Sequence, residues 1–134
     1  MDYTNSPLAD RLLKRLETVG TEEVRQATAV ALGRFHAYPS KCHENVDRWC
    51  QQYPCDKPVR GWLVDECPYA YTFTKHSIVD LGGQHNLLDI TLQNGGTSNF
   101  LIHIGAEEEF LLNLDSHVTA FIAGAFRIAN GQHF

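Results

Sequence analysis

No stretch of this chain is apolar for the roughly 18 consecutive residues that a membrane-spanning helix needs. The sequence has 134 residues, and its N-terminus, with Asp2 and an early helix signal, lacks the pattern of a secretory signal peptide. These absences predict no membrane partner. They also make the cytoplasm the default compartment, with export left open.

Positive charge is also scarce. The chain has 11 Lys and Arg residues against 16 Asp and Glu residues, which gives a formal net charge of -5 at pH 7. Proteins that bind nucleic acid neutralise its phosphates with a patch or stripe of Lys and Arg, and this sequence contains no such stripe. We therefore predict no nucleic-acid partner.

The four cysteines lack the spacing of a structural zinc site, since no Cys-x-x-Cys pair occurs among Cys42, Cys50, Cys55 and Cys67. Two disulfides would fit only an exported protein. We predict no metal and no cofactor. The last three cysteines are interpreted as small apolar residues that pack in the interior.

Helix signals dominate the first third of the chain. An N-cap and proline at Ser6-Pro7 and a closing Gly20 predict a first helix. Thr21, followed by apolar residues at helical spacing up to Phe35, predicts a second. A third helix is predicted to begin after Ser40 as its N-cap.

Alternating apolar residues and glycine turns follow these helices. They predict an α+β fold, a single domain over 1–134 in which N-terminal helices pack on a small antiparallel sheet. Strands are predicted at 59–65, 71–81, 86–92 and 100–104, and two short helices at 106–114 and 117–126.

Cys42 falls in the first turn of the third predicted helix, on one apolar stripe with Val46 and Trp49. A thiol in this position feels the positive end of the helix dipole and unpaired backbone N–H groups, and both favour the thiolate. His43 is predicted to point roughly 100° away around the helix. A nucleophile placed in this way needs a base.

The predicted hairpin between the second and third strands supplies one. If Gly82 and Gly83 form a two-residue turn, His76 lies directly opposite Asp89 on the same face of the sheet. An unpaired carboxylate in an apolar strand is costly, so Asp89 needs a partner. With Cys42 facing this pair, the three residues form a Cys–His–Asp triad.

The order of these residues resembles the transglutaminase-like branch of the papain-like cysteine hydrolase superfamily. The segments from His76-Ser77-Ile78-Val79 to Leu88-Asp89-Ile90-Thr91 resemble the strand pair that carries its His and Asp. Cys42-His43-Glu44-Asn45-Val46 and Gly61-Trp62 further resemble a group of small bacterial proteins. The resemblance covers residues 38–92.

The resemblance implies a papain-like or transglutaminase-like core, with Cys42 as nucleophile, His76 as base and Asp89 as the acid that orients the imidazole. Two positions depart from the superfamily pattern. Ser77 stands where transglutaminases commonly have an aromatic residue, and Leu92 stands where proline often follows Asp-x-Thr. These departures concern the substrate class.

Two further residues are predicted to bind substrate. Asn45, if its side chain turns inward, would hydrogen-bond a substrate carbonyl, and Trp62 is a core residue that borders the cleft. The backbone N–H of Cys42 is the first candidate oxyanion donor and the Asn45 side chain the second.

The predicted function is a thiol-dependent enzyme that attacks an amide carbonyl of a protein or peptide substrate and forms a thioester. Deamidase, amidase, peptidase and acyl transferase chemistry remain open, because the cleft and not the triad selects the acceptor. The alternative is a non-enzymatic zinc-binding or protein-interaction module that uses the Cys and His residues.

Overall fold

The computed structural model describes residues 4–113 and 115–122. Its helices are α1 (Pro7–Val19), α2 (Ala29–Leu32), α3 (Cys42–Gln52) and α4 (Glu107–Leu112), with a 3-10 turn at Leu81–Gly83. Its strands are β1 (Glu22–Gln26), β2 (Lys57–Glu66), β3 (Ala70–Asp80), β4 (Leu87–Asp89), β5 (Thr97–Ile102) and β6 (His117–Phe121).

The six strands form one sheet in the order β2-β5-β1-β4-β3-β6. A further pairing of β2 with β3 closes five of them into a small barrel, and β6 lies along the first half of β3. The α+β class is therefore confirmed. The prediction of an antiparallel sheet needs a correction, because β1 runs parallel to β4.

Apolar side chains from several strands pack together on the inner side of this barrel, with Val24, Ile78 and Phe100 at their centre. Gly61 is essential to this packing, since a Cβ atom at that position would lie only 2.6 Å from Cζ of Phe100. Gly61 pairs with His76 across β2 and β3, and the ring centroids of His76 and Phe100 are 6.5 Å apart. The imidazole of His76 is thus held against the barrel core.

The first predicted helix is confirmed as α1. The Ser6 hydroxyl accepts a hydrogen bond from the Ala9 N–H at 3.1 Å, and Pro7 occupies the first turn. Gly20 ends the helix with a φ of 69°. The helix buries Ala9 and Leu12 in an apolar cluster on the outside of the barrel.

The second predicted helix is wrong over most of its length. Residues 22–26 form β1, and a helix is present only at α2, where the Thr28 hydroxyl caps it by accepting from the Ala31 N–H at 3.1 Å. Pairing of β1 with both β4 and β5 buries Val24, and this tertiary pairing outweighs the local helix preference.

Of the two helices predicted near the C-terminus, one is present and the other is not within the described residues. The predicted helix at 106–114 is present as α4, whose Phe110 is buried. The predicted helix at 117–126 is wrong where it can be compared, because residues 117–121 form β6 on the edge of β3. Its last four residues lie outside the described part of the chain. No helix within the described ranges has the length and apolar character that crossing a membrane requires.

Helix α3 carries the candidate nucleophile and packs against β3. Val46 is buried with Val79, Ile90 and Leu32 of α2. Lys41 is the N-cap, without a side-chain hydrogen bond, so the prediction that Ser40 caps this helix is wrong. Ser40 instead turns the chain with a φ of 61° just before the helix. Cys42 is therefore the first residue of α3.

Candidate active site

The structure brings Cys42, His76 and Asp89 together where the start of α3 meets β3. The Nε2 atom of His76 lies 2.7 Å from Oδ2 of Asp89. The carboxylate is fully buried and His76 is only 5% exposed, whereas Cys42 is half-buried. This ordering places the thiol nearest to solvent and the carboxylate deepest.

The predicted hairpin register is wrong, although His76 and Asp89 do meet. Val79 pairs with Leu88, two positions away from the predicted register. The Asp80 carboxylate lengthens the turn by accepting from the backbone N–H groups of His85 and Asn86 at 3.1 and 2.8 Å. A shift by an even number of residues preserves the face, so His76 and Asp89 become diagonal neighbours.

The buried carboxylate of Asp89 has partners on both oxygens. While Oδ2 faces His76, Oδ1 accepts from the backbone N–H groups of Thr91 and Leu92 at 2.9 and 3.0 Å. These bonds form a turn immediately after β4 that offsets the desolvation of the carboxylate and fixes its orientation. Because Asp89 occupies Nε2, the nitrogen of His76 left for the thiol is Nδ1.

Two imidazoles act on the Cys42 thiol. Burial by itself raises the pKa of Cys42, but hydrogen bonds to His43 and His76 and the charges of both rings outweigh it. The net effect lowers the pKa of the thiol from 9.0 to about 6.

The shift at His76 has the opposite sign. Burial lowers the pKa of His76, while hydrogen bonds to Asp89 and Cys42 and their charges raise it more, from 6.5 to about 9. Between pH about 6 and about 9, Cys42 and His76 therefore form a thiolate–imidazolium pair. Such a pair is one of the ways in which a cysteine is activated as a nucleophile.

Sequence reasoning missed the part that His43 plays. The Nδ1 atom of His43 and the Ser77 hydroxyl form a hydrogen bond, and the Ser77 oxygen accepts from Nη1 of Arg60 at 2.8 Å. Ser77 is fully buried and points away from the barrel interior, because it follows His76 on the same strand. The rotation expected for adjacent helix residues does not separate His43 from Cys42, since Ser77 holds the ring towards β3.

Lys75 adds a second cation near the thiol. Its Nζ atom donates to the backbone carbonyl of Asn113 at 2.8 Å and lies 4.6 Å from the ring centroid of Phe110. Burial lowers the pKa of Lys75, and its electrostatic interaction with the Cys42 thiolate raises it. Two neighbouring residues of β3, Lys75 and His76, thus both interact electrostatically with Cys42, in addition to His43.

Asn45 is not placed where it can bind a substrate. Its fully buried amide donates to the Tyr38 carbonyl and the Thr91 hydroxyl, both at 2.9 Å. Its oxygen accepts from the Tyr38 N–H at 2.9 Å and from Arg48 at 3.1 Å. All of these hydrogen-bonding positions are occupied, and Asn45 connects the loop before α3 to the turn after Asp89. A polar residue on a helix face gave no sign of this structural role in the sequence.

Trp62 is a core residue, 3% exposed, whose ring centroid lies 5.7 Å from that of Phe110. Phe110 also contacts the ring of His43, at 5.7 Å between centroids. Beyond Trp62 and Phe110 lies a cavity of about 310 Å³ that α1 helps to line. Trp62 therefore borders this cavity, and the Phe110 ring lies between Trp62 and the imidazole of His43.

The remaining cysteines do not approach this site as ligands. Cys50 packs against the apolar cluster under α3, whereas Cys55 and Cys67 are exposed, so their predicted interior position is wrong. All four thiols are free. Within residues 4–113 and 115–122, no group of three or more His, Cys, Asp or Glu side chains is arranged to hold a metal ion.

Comparison of the chain with protein-family models, with curated proteins and with solved structures gives no significant match. The geometry of the site therefore carries the functional argument.

Proposed function

We propose that this protein is a thiol-dependent enzyme that attacks an amide carbonyl through Cys42, His76 and Asp89. One observation carries the proposal: the half-buried thiol of lowered pKa adjoins an imidazole whose Nε2 atom lies 2.7 Å from a fully buried carboxylate. Perturbed titratable groups that meet in this order suit nucleophilic catalysis.

The reaction has two stages. In the first, the Cys42 thiolate forms a bond to the carbonyl carbon, and the C–N bond breaks as the amine or ammonia leaves with the proton of His76. The product is a thioester on Cys42. In the second, neutral His76 takes a proton from water or from an acceptor amine, whose attack releases the acyl group and restores the thiolate.

Asp89 holds His76 in position through both stages. Its bond to Nε2 fixes the ring so that Nδ1 faces the thiol, and its negative charge favours the imidazolium. The two backbone N–H donors on Oδ1 keep the carboxylate itself from rotating. The proton that moves in the reaction is therefore the one on Nδ1 of His76.

A papain-like or transglutaminase-like core is proposed on the order of these elements. Cys42 begins α3, His76 lies on β3, Asp89 ends β4, and α3 packs against β3. The proposed substrate is a protein or peptide amide, with hydrolysis, deamidation and acyl transfer as the possible outcomes.

Mass spectrometry of a peptide mixture tests the function. Peptides that contain Gln and Asn are incubated with the full chain and an added primary amine, and conversion to acid, cleavage and amine addition are measured. We expect at least one of these products from the wild type and none from Cys42→Ser, which keeps the shape of the side chain. Products that persist in Cys42→Ser, or no product from the wild type, would contradict the proposal.

The zinc-binding alternative has its own test. We expect protein purified without added zinc to contain no stoichiometric metal, and a chelator to leave the melting temperature unchanged. Near-stoichiometric zinc whose removal unfolds the protein would replace the enzyme proposal, because thiolates bound to zinc are not free nucleophiles.

A further inference from the structure

The thiol has a second imidazole neighbour that the Cys–His–Asp mechanism does not use. His43 follows Cys42 at the start of α3 and its ring interacts with the thiol, while its Nδ1 atom is held by the hydroxyl of Ser77. The ring of Phe110 stands edge-on to it, at 5.7 Å between centroids and 82° between planes. The His43 ring is therefore fixed from two sides.

The bonds around Ser77 decide which nitrogen of His43 carries the proton. A guanidinium can only donate, so the Ser77 oxygen accepts from Nη1 of Arg60. The other side-chain partner of this fully buried hydroxyl is Nδ1 of His43, so that nitrogen is the acceptor for the hydroxyl proton, which would otherwise be buried unpaired. Neutral His43 then carries its proton on Nε2, the nitrogen left for Cys42. Arg60 is itself fixed by Asp47 and Glu107, each at 2.7 Å.

We propose that His43 is a catalytic residue that donates a hydrogen bond from Nε2 to the substrate oxyanion, with Ser77 and Arg60 as its positioning residues. This inference rests on the proposed thiol chemistry. In the resting enzyme the N–H faces the Cys42 sulfur. When sulfur bonds to the carbonyl carbon, the π electrons move to oxygen, which becomes the anion that this N–H then stabilises.

The division of labour between the two rings follows from their partners. His76 faces a carboxylate, which favours a charged ring that can give a proton to the leaving amine. His43 faces the Ser77 hydroxyl, which accepts from Arg60, and no carboxylate that would prime its ring for proton transfer, so its part is to donate a hydrogen bond. A preorganised donor of this kind acts where negative charge develops.

Two reactions of the same sulfur separate this role from activation of the thiol. Iodoacetamide alkylates Cys42 by displacement at a saturated carbon and forms no oxyanion. The activated ester p-nitrophenyl acetate acylates it through a tetrahedral oxyanion. Both rates are measured across pH and compared at equal thiolate fraction, in the wild type and in His43→Leu and His43→Gln. His36→Leu, at an exposed histidine, is the control.

In His43→Leu we expect acylation to fall about 100-fold more than alkylation, as for the loss of one oxyanion donor. His43→Gln, which keeps an N–H group, should recover part of the loss, and Ser77→Ala should lose part of it by releasing the ring. Ser77→Ala keeps the inference testable if His43→Leu does not fold.

An equal fall of both rates in His43→Leu and in Ser77→Ala, or no fall of either, would overturn the oxyanion role. Failure of the proposed function looks different. In that case Cys42 of the wild type would be alkylated no faster than the exposed Cys55, whatever residue stands at position 43.

Discussion

Replacing His76 by Gln should remove most of the special reactivity of Cys42. The substitution keeps a polar side chain of similar length but removes the positive charge and the hydrogen bond that lower the pKa of the thiol. Burial still raises the pKa of Cys42 and only His43 is left to lower it, so the pKa of the thiol should rise above about 6. His36→Gln, at an exposed histidine, is the matched control.

The size of the effect follows from the pKa of the thiol. At pH 6.5 a thiol of pKa about 6 is roughly three-quarters ionised, which is about 200 times the ionised fraction of a thiol of pKa 9.0. Intrinsic nucleophilicity falls with pKa at a Brønsted slope of roughly 0.4–0.5, which over three units returns a factor of about 20. We therefore expect Cys42 to react about tenfold faster than an ordinary thiol.

Alkylation with iodoacetamide, followed by peptide mass mapping of all four cysteines, measures this ratio. In the wild type, Cys42 should be modified about tenfold faster than the exposed Cys55 and Cys67 at pH 6.5. In His76→Gln the advantage should shrink and the midpoint of the pH profile should move upwards. Equal rates at all four cysteines, or a midpoint that His76→Gln leaves unchanged, would refute the reasoning.

Three further predictions concern Asp89, Gly61 and Asn45. Asp89→Asn removes the hydrogen bond and the negative charge that, together with those of Cys42, raise the pKa of His76 to about 9. Stability that comes from such a raised pKa is fully present below pH 6.5 and is lost as the pH rises through about 9. Urea unfolding should therefore show a larger loss of stability below pH 6.5 than above about pH 9, and a pH-independent loss would contradict this account. Gly61→Ala should destabilise by about 1–3 kcal/mol in thermal unfolding, because the new Cβ would meet the backbone carbonyl oxygen of Leu101 and the Phe100 ring; an unchanged melting temperature would contradict the close packing. Asn45→Ala should cost about 2–3 kcal/mol by leaving buried partners unpaired, yet leave the alkylation midpoint of Cys42 unchanged, and a shifted midpoint would give Asn45 a part in the site.

The contact between His76 and Asp89 could be predicted because it requires both side chains to lie on the same face of the sheet and depends less on the exact register of the two strands. Alternation along two strands fixes which side chains share a face, and the two-residue error in register left that face unchanged. Helix α1 could also be predicted, since Ser6, Pro7 and Gly20 are local helix-end signals that do not depend on distant residues.

The helix predicted across β1 and the missed part of His43 both depend on contacts between residues that are distant in sequence. Val24 of β1 lies at helical spacing from Ala27 and Ala31, and only the pairing of β1 with β4 and β5 decides between helix and strand. The bonds from Arg60 through Ser77 to His43 join two strands and a helix, with no spacing rule to connect them. The one sign of this connection in the sequence was Ser77, which places a hydroxyl next to the candidate base where transglutaminases commonly have an aromatic residue.

The most direct measurement is the protonation of the two ring nitrogens of His76, followed by nitrogen NMR of the folded protein across pH. The thiolate–imidazolium account predicts that both nitrogens carry protons at neutral pH and that the ring titrates near 9, and that Cys42→Ala lowers this midpoint. A His76 ring that is already neutral at pH 7.5, beside a thiol that still holds its proton, would contradict it.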